Sequence, residues 1–310
     1  MCDARQHWKL HMRVFLTGVT GFIGSRIVPE LIDAGHQVLG LTRSDAGARW
    51  LEQVGAEAHR GTLEDPDSLA SGAAKADAVI HTAFDHDFSR FVENCEKDQR
   101  VIEAMGVALA GSDRPLIITS GTGMGSAGPG LPATENVLDR NNPNPRRLSE
   151  LTGEEVARKG VSVAVVRLPQ VHDTVKQGLI SPAIEIARQK GVSAYVGNGV
   201  NRWPAAHVTD VARLYRLALD KHEAGARWHA VAEEGVPVRE IAVVIGAGLG
   251  VPVKSLFPDE AAEHFGWLGA FAGMDLPASS ALTRDRLGWR PNGPGIIEDL
   301  RNMEYSSAQA

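Results

Sequence analysis

The sequence predicts an α/β fold: a doubly wound parallel sheet, followed by a smaller mixed α/β part at the C-terminus. Three observations carry this. Short β-branched runs alternate with helical patterns through the first 170 residues. A glycine-rich turn, "TGVTGFIG" (17–24), joins the first of those runs to a helix. Past residue 175 the alternation loosens. A chain of 310 residues has length for one large α/β domain or two unequal ones.

The elements follow in order. "RVFLT" (13–17) is the first strand, and a helix over 22–34 ends at Gly35. "QVLGLT" (37–42) is the second strand, "ARWLEQVGA" (48–56) a helix and "EAHR" (57–60) the third strand. "EDPDSLASGAAKA" (64–76) is a helix with a proline in its first turn, and "DAVIHTA" (77–83) is the fourth strand. A long helix fits 87–111, "PLIITS" (115–120) is the fifth strand, 149–160 a helix and "VSVAVVRLP" (161–169) the sixth strand. Beyond it, helices are expected over 179–190, 208–220, 237–249 and 258–270, with short strands "SAYVG", "RWHAVA" and "PVKSL" among them. The organisation is therefore an extension over 1–11, mobile or a misplaced start; a nucleotide-binding domain over 12–170; and a smaller substrate-binding part over 171–310. Segment 202–231 is the stretch with the option of returning to the main sheet.

Composition narrows the function classes. Hydrophobic content of 43%, charged content of 23% and a net charge of −6 leave no basic surface for nucleic acid. No apolar run reaches the roughly 18 residues of a membrane span. The two cysteines, Cys2 and Cys95, form no disulfide or metal pattern, so the expected compartment is a reducing cytoplasm. "HTAFDHDF" gathers His81, Asp85, His86 and Asp87 but lacks an established metal-binding spacing, so no metal is expected. Asp85 and His86 are read instead as substrate-pocket residues at a strand's carboxyl end. The loop 120–147, rich in Gly, Pro and Asn, leaves the fifth strand and is read as a site loop rather than a disordered insert. "FGWLGAFAGMDLP" (265–277) fits core or homodimer packing, with a substrate lid as the alternative.

Gly18, Gly21 and Gly24 stand between a strand and a helix. Glycines allow the tight turn and close approach of a pyrophosphate, and the helix N-terminus offers free N–H groups to it. This points to a dinucleotide. At the end of the second strand an acidic residue would hold the ribose of NAD, whereas cations would hold the extra phosphate of NADP. The sequence there reads Thr42-Arg43-Ser44, which favours NADP (NADPH) over NAD through Arg43 and the Ser44 hydroxyl, with Asp45 close by.

These residues resemble the extended and atypical short-chain dehydrogenase/reductase family, of the NAD-dependent epimerase/dehydratase type, from Met12 to about residue 300. "TGVTGFIGSRIVPELIDAGHQVLGLTR" is similar to the family's nucleotide fingerprint, which implies cofactor contacts from Thr20, Phe22 and Ile23 as well as the glycines. The resemblance of "RGTLED" (60–65) puts Thr62 and Leu63 against adenine, and that of "VIHTAF" (79–84) puts Thr82, Ala83 and Phe84 along the cofactor. "VVRLPQVH" (165–172) is similar to a stretch beside the nicotinamide, implying roles for Pro169 and Val171. "RWPAAHVTDVARLYRLAL" (202–219) resembles a segment of the substrate-binding part, with Trp203 as a pocket residue or packing.

The resemblance implies a Rossmann fold and hydride chemistry that normally depends on Ser, Tyr and Lys. Ser120 matches the serine, with Thr122 beside it. The YxxxK slot falls at about 145–150 and reads Pro145-Arg146-Arg147-Leu148-Ser149-Glu150. No tyrosine precedes Tyr195, and none of the three tyrosines has a lysine four residues on. The replacement candidates are His172 as proton donor, Arg147 (or Arg146) for the lysine's electrostatic role, and Tyr195 as a further donor. The expected function is an NADPH-dependent oxidoreductase of a small organic carbonyl or imine. The alternatives are a non-catalytic NADP-binding regulator and an epimerase or dehydratase.

Overall fold

The structure, a computed structural model, describes residues 11–305. The expected extension over 1–11 therefore lies outside the described residues except for His11. The main sheet has seven strands: β1 (Arg13–Thr17), β2 (Gln37–Thr42), β3 (Glu57–Arg60), β4 (Ala78–His81), β5 (Pro115–Gly121), β6 (Ser162–Leu168) and β10 (Arg227–His229). Their order is β10-β6-β5-β4-β1-β2-β3 and every pairing is parallel. The chain winds outward from β1 in both directions. The carboxyl ends of β1 and β4 therefore flank the crevice where such sheets bind ligands.

Helices cover both faces. On one, Ile27, Val28 and Leu31 of α1 (Gly24–Asp33) pack with Leu51 of α2 (Asp45–Gln53) and Val211, Leu214 and Tyr215 of α7 (Val208–Asp220). On the other, Leu69 of α3 (Pro66–Ala74), Val101, Ile102 and Met105 of α4 (Phe91–Leu109) and Val156 of α5 (Arg147–Arg158) cover Phe15, Val79 and Leu116. Each fully buried aliphatic side chain there contributes about 2 kcal/mol of burial free energy.

The remaining elements form a second core. β7 (Gln170–His172), β9 (Arg202–His207) and β11 (Glu233–Pro237) make a three-stranded sheet, and β8 (Ser193–Val196) pairs with β12 (Val253–Leu256). Around them pack α6 (Ile180–Lys190), α8 (Val238–Leu249), α9 (Ala261–Phe265), α10 (Gly269–Ala272) and α12 (Ile296–Asn302). The short α11 (Ala281–Leu287) lies instead beside β10. The chain passes between the two sets of elements at β6 to β7, at β9 to α7, at β10 to β11, at α10 to α11 and at α11 to α12.

Several elements differ from expectation for local reasons. α1 begins at Gly24 because residues 21–23 stay in the glycine turn. α2 begins at Asp45, since Ser44 Oγ accepts from Gly47 N at 3.1 Å and caps it. The helix expected over 258–270 is broken at Gly266, whose φ of 56° ends α9. β9 was not expected because Pro204 sits inside it, a residue that cannot donate to the ladder. Its partner β11 carries a register irregularity between Glu233 and Val236, beside that proline.

The loop 120–147 is tied down along its length. Arg167, fully buried on β6, gives Nε and Nη2 to Glu150 at 2.7 and 2.9 Å, Nη1 to Thr134 O at 3.1 Å, and Nη2 to Val137 O at 2.8 Å. Its remaining donor reaches His229 Nε2 at 3.1 Å. All five guanidinium donors are thereby used, which is what makes a buried arginine tolerable. His229 Nε2 must accept, so Nδ1 carries the proton and donates to Ser279 O at 2.8 Å. Burial, then the Arg167 charge, push the His229 pKa down to about 3.

Candidate active site

The glycine turn has the geometry of an anion cradle. Gly18 has φ +74°, and a Cβ there would lie 2.9 Å from Ala83 N; a Cβ on Gly24 would lie 2.1 Å from Gly18 O. Gly21 N donates to Gly18 O at 2.9 Å, closing the turn. α1 has no side-chain cap and no acidic residue in its first turn, so its positive end is left to a ligand. Thr20 is exposed on the turn, and Phe22 and Ile23 are half-buried. A Cβ on Gly47 would lie 3.2 Å from Thr20 Cγ2, so the start of α2 touches the turn. The residues present fit a dinucleotide pyrophosphate. Arg43 is exposed and forms no ion pair among the described residues, whereas Asp45 is paired with Arg60. Ser44 spends its hydroxyl capping α2.

A buried chain of hydrogen bonds runs from this turn to α5. Thr17 Oγ1 accepts from Thr82 N and Ala83 N at 3.2 and 3.1 Å, so it donates to His81 Nδ1 at 2.7 Å. His81 Nε2 then donates to Asp98 Oδ1 at 2.9 Å. The other Asp98 oxygen accepts from Arg146 Nη1 and Ser149 Oγ, both at 2.6 Å. Burial of Asp98 works against its charge, but Arg146, His81 and Ser149 outweigh it and hold the carboxyl well below the usual range. Arg146 Nη2 donates to Thr119 O at 2.9 Å, and its guanidinium lies 4.1 Å from the Phe84 ring centroid.

Arg146, rather than Arg147, is thus the cation at the sheet edge. Arg147 turns back to its own loop, donating to Asn142 O at 3.2 Å. Glu150, four residues past Arg146, is committed to Arg167 and Arg227. Ser120, beside Thr119, is 3% exposed. Its Oγ lies close enough to Glu150 to help hold that carboxyl down, yet makes no hydrogen bond of proper geometry. Thr122 is buried in the short turn after β5. Thr62 and Leu63 are half-buried after β3, with Leu63 against the core, and Pro169 is half-buried in the bend before β7.

The loop after β4 forms one wall. Asp85 accepts from Lys97 Nζ at 3.0 Å and from Asp87 N at 3.1 Å, so its carboxylate is already occupied. His86 keeps a solvent-exposed edge while its ring packs on Phe84, with centroids 5.4 Å apart. That crowding, then the Lys176 and Arg146 charges, push its pKa below the usual imidazole value. Lys176, on the turn after β7, holds its ammonium 6.0 Å from the Phe22 ring centroid and has no ion pair among the described residues. Sequence reasoning missed Lys176 and Asp98, and named His81 only within the cluster for which it set a metal role aside. Among the described residues no group of three or more His, Cys, Asp or Glu side chains is placed to hold a metal.

Three sequence candidates are not brought to this edge. His172 is fully buried; its Nδ1 lies 2.6 Å from Asp299 Oδ2 of α12, and its Nε2 lies 3.9 Å from Glu233 Oε2. Its polar partners belong to the smaller part because β7 leaves the main sheet, although Val171 stays in the first core. Tyr195 is on β8 and packs on the second core. Trp203 is 3% exposed in that core, giving Nε1 to Met274 O at 3.2 Å, and lines a small cavity among Ile180, Ile241 and Leu268 instead of the crevice wall.

Residues 14–231 match the NAD dependent epimerase/dehydratase family, which spans the glycine turn, the Asp98 chain and β10. The chain belongs to that family. As a member it is an NAD(P)-dependent enzyme of the short-chain dehydrogenase/reductase type. It is 49% identical over 295 residues to "Uncharacterized protein C2A9.02" of Schizosaccharomyces pombe, covering 95% of this chain and 100% of the relative. It is 27% identical over 259 residues to "2-alkyl-3-oxoalkanoate reductase" of Stenotrophomonas maltophilia, covering 78% and 77%. Among solved structures, Thermus thermophilus UDP-glucose 4-epimerase in complex with NAD superposes with a TM-score of 0.71 at 21% identity, covering 96% of this chain and all of that one. That likeness shows the fold. No described helix of this family member is long and apolar enough to cross a membrane.

Proposed function

We propose that the protein is an NADPH-dependent reductase of small organic carbonyl compounds. The observation that carries this reading is the pairing of an unbonded, buried Ser120 hydroxyl with a guanidinium, Arg146, fixed one residue away on the Thr119 carbonyl. NADPH held at the glycine turn would supply the hydride that reduces the carbonyl carbon, becoming NADP+. Ser120 Oγ–H donates to the carbonyl oxygen and orients it. Arg146 stabilises negative charge developing there, without releasing a proton of its own. The proton that completes the alcohol passes from His86 on the crevice wall, next to an Asp85 already held by Lys97, and the imidazole is recharged from solvent along its exposed edge. An imine needs the same hydride and proton and fits the same groups. The Stenotrophomonas relative, named as a reductase of an oxo acid, supports carbonyl chemistry.

The preference for NADPH rests on Arg43, an unpaired cation where the adenosine ribose would lie, next to an Asp45 already neutralised by Arg60. Net NADPH oxidation with a panel of aldehydes, ketones and cyclic imines, with the alcohol or amine identified, is the test. Epimerisation or dehydration returns the hydride and would consume no cofactor. Tight NADPH binding without consumption at high protein concentration would overturn the reductase reading and favour either those reactions or a regulator that only binds nucleotide.

A further inference from the structure

The C-terminal segment that faces the β4 loop has two unlike faces. Phe265, Leu268 and Ala272 are buried in the second core, at 5%, 1% and 3% exposure. Trp267 projects away from that core and keeps 42% of its surface exposed, while Phe271, four residues on, packs half-buried against the core and meets Trp267 edge-on with centroids 6.4 Å apart. Trp267 does not simply trail into solvent. It stacks on Phe88 of the β4 loop, with ring centroids 4.3 Å apart and planes 8° from parallel. From Phe88 the rings continue inward: Phe91 at 5.4 Å, Phe84 at 6.2 Å from Phe91, and Arg146 over Phe84.

A row of ring contacts thus leads from the mouth of the crevice to the guanidinium beside Ser120, face to face at Trp267 and Phe88, tilted at Phe91 and edge-on at Phe84. The two ends of the row come from different parts of the molecule, one from the β4 loop and one from the α9–α10 segment. A parallel stack at this spacing is the arrangement a planar ligand also makes with an aromatic face. Polar wall residues that could grip a polyhydroxylated or diphosphate-bearing substrate are already engaged, Asp85 with Lys97 and Asp98 with Arg146.

Resting on the reductase reading, we infer that the substrates are planar aromatic carbonyl compounds, held by Trp267 and Phe88 with the carbonyl directed at Ser120 and Arg146. The Trp267–Phe88 stack closes the mouth, and the substrate ring takes its place against Trp267 when it opens.

The test compares benzaldehyde with butanal as substrates of the full chain with NADPH. Benzaldehyde is expected to have the higher kcat/KM, and the benzaldehyde-to-butanal ratio to fall about tenfold in Trp267→Leu, since ring stacking is worth about that factor. Trp267→Phe, which keeps a ring, should recover most of the ratio. An unchanged ratio in Trp267→Leu would overturn the inference while leaving the reductase reading intact. If neither aldehyde is reduced, the reductase reading fails, and binding decides the inference separately. Saturation-transfer NMR of the NADPH complex should then detect benzyl alcohol but not butanol, with the signal lost in Trp267→Leu; equal signals for the two alcohols would overturn it.

Discussion

Asp98 and Arg146 meet at 2.6 Å beneath the carboxyl edge of the sheet, although 48 residues separate them in the chain. Asp98 Oδ2 also takes the Ser149 hydroxyl, and its other oxygen takes His81 Nε2, so each carboxylate oxygen is held by at least one directed donor. The pair aims the guanidinium at Thr119 and Phe84. Asp98→Asn keeps the shape but removes the charge opposite a buried cation. It should cost about 3–5 kcal/mol in denaturant unfolding and lower kcat by about 10²-fold. Because the folded pKa of Asp98 is depressed, its stabilisation is complete above the unfolded value of about 3.9 and is lost as pH falls through the folded one. Acid titration of stability should therefore be shallower in the variant, and equal acid sensitivity would argue against the pair.

In the proposed preference for NADPH, Arg43 is the residue that separates the two nicotinamide cofactors. Arg43→Ala should weaken NADPH by about tenfold or more, the scale of a charge-assisted contact, and change NADH little. Fluorescence titration of both cofactors reads this directly. Equal losses would remove Arg43 from the 2′-phosphate.

Lys176 brings an unpaired ammonium to the Phe22 side of the glycine turn from an element outside the main sheet. If the ammonium serves the cofactor phosphates, affinity of Lys176→Met for NADPH should fall about tenfold and its dependence on salt should flatten. Unchanged affinity and salt slope would place the ammonium elsewhere.

His172 belongs to the packing of α12 rather than to the crevice. His172→Ala leaves the nearly buried Asp299 carboxylate without its imidazole, an expected loss of about 3 kcal/mol in stability. The kcat of the fraction that remains folded should stay within about twofold of wild type. A fall in kcat well beyond the folded fraction would return the imidazole to the chemistry.

Much of this was legible in the residues. The glycine turn and the alternating β-branched runs announce the sheet because their signals are local: a 3.6-residue period, a two-residue period, a turn that only glycine tolerates. The smaller part was harder. β9 hides behind Pro204, β7 is three residues long, and β11 contains a glycine and ends on a proline. The site divides the same way. Ser120 and Arg43 could be named as candidates because they stand at the ends of strands. Asp98 carried a signal that was passed over: it stands with Val101, Ile102 and Met105 at the helix spacing of a buried stripe, where a lone carboxylate needs a partner. Which of Arg146 and Arg147 supplies that partner depends on how the loop enters α5, and no short-range pattern encodes it.

The five passages of the chain between the main sheet and the second core bear on how the molecule breathes. A two-lobed enzyme joined by one strand can swing on a single hinge. Here the joints at β6–β7, β9–α7, β10–β11, α10–α11 and α11–α12 would all have to flex together. Admission of a substrate then falls to side chains and short turns at the rim instead of to a swing of whole lobes. Turnover in such a design should respond to single-residue changes at the rim and stay nearly indifferent to solvent viscosity.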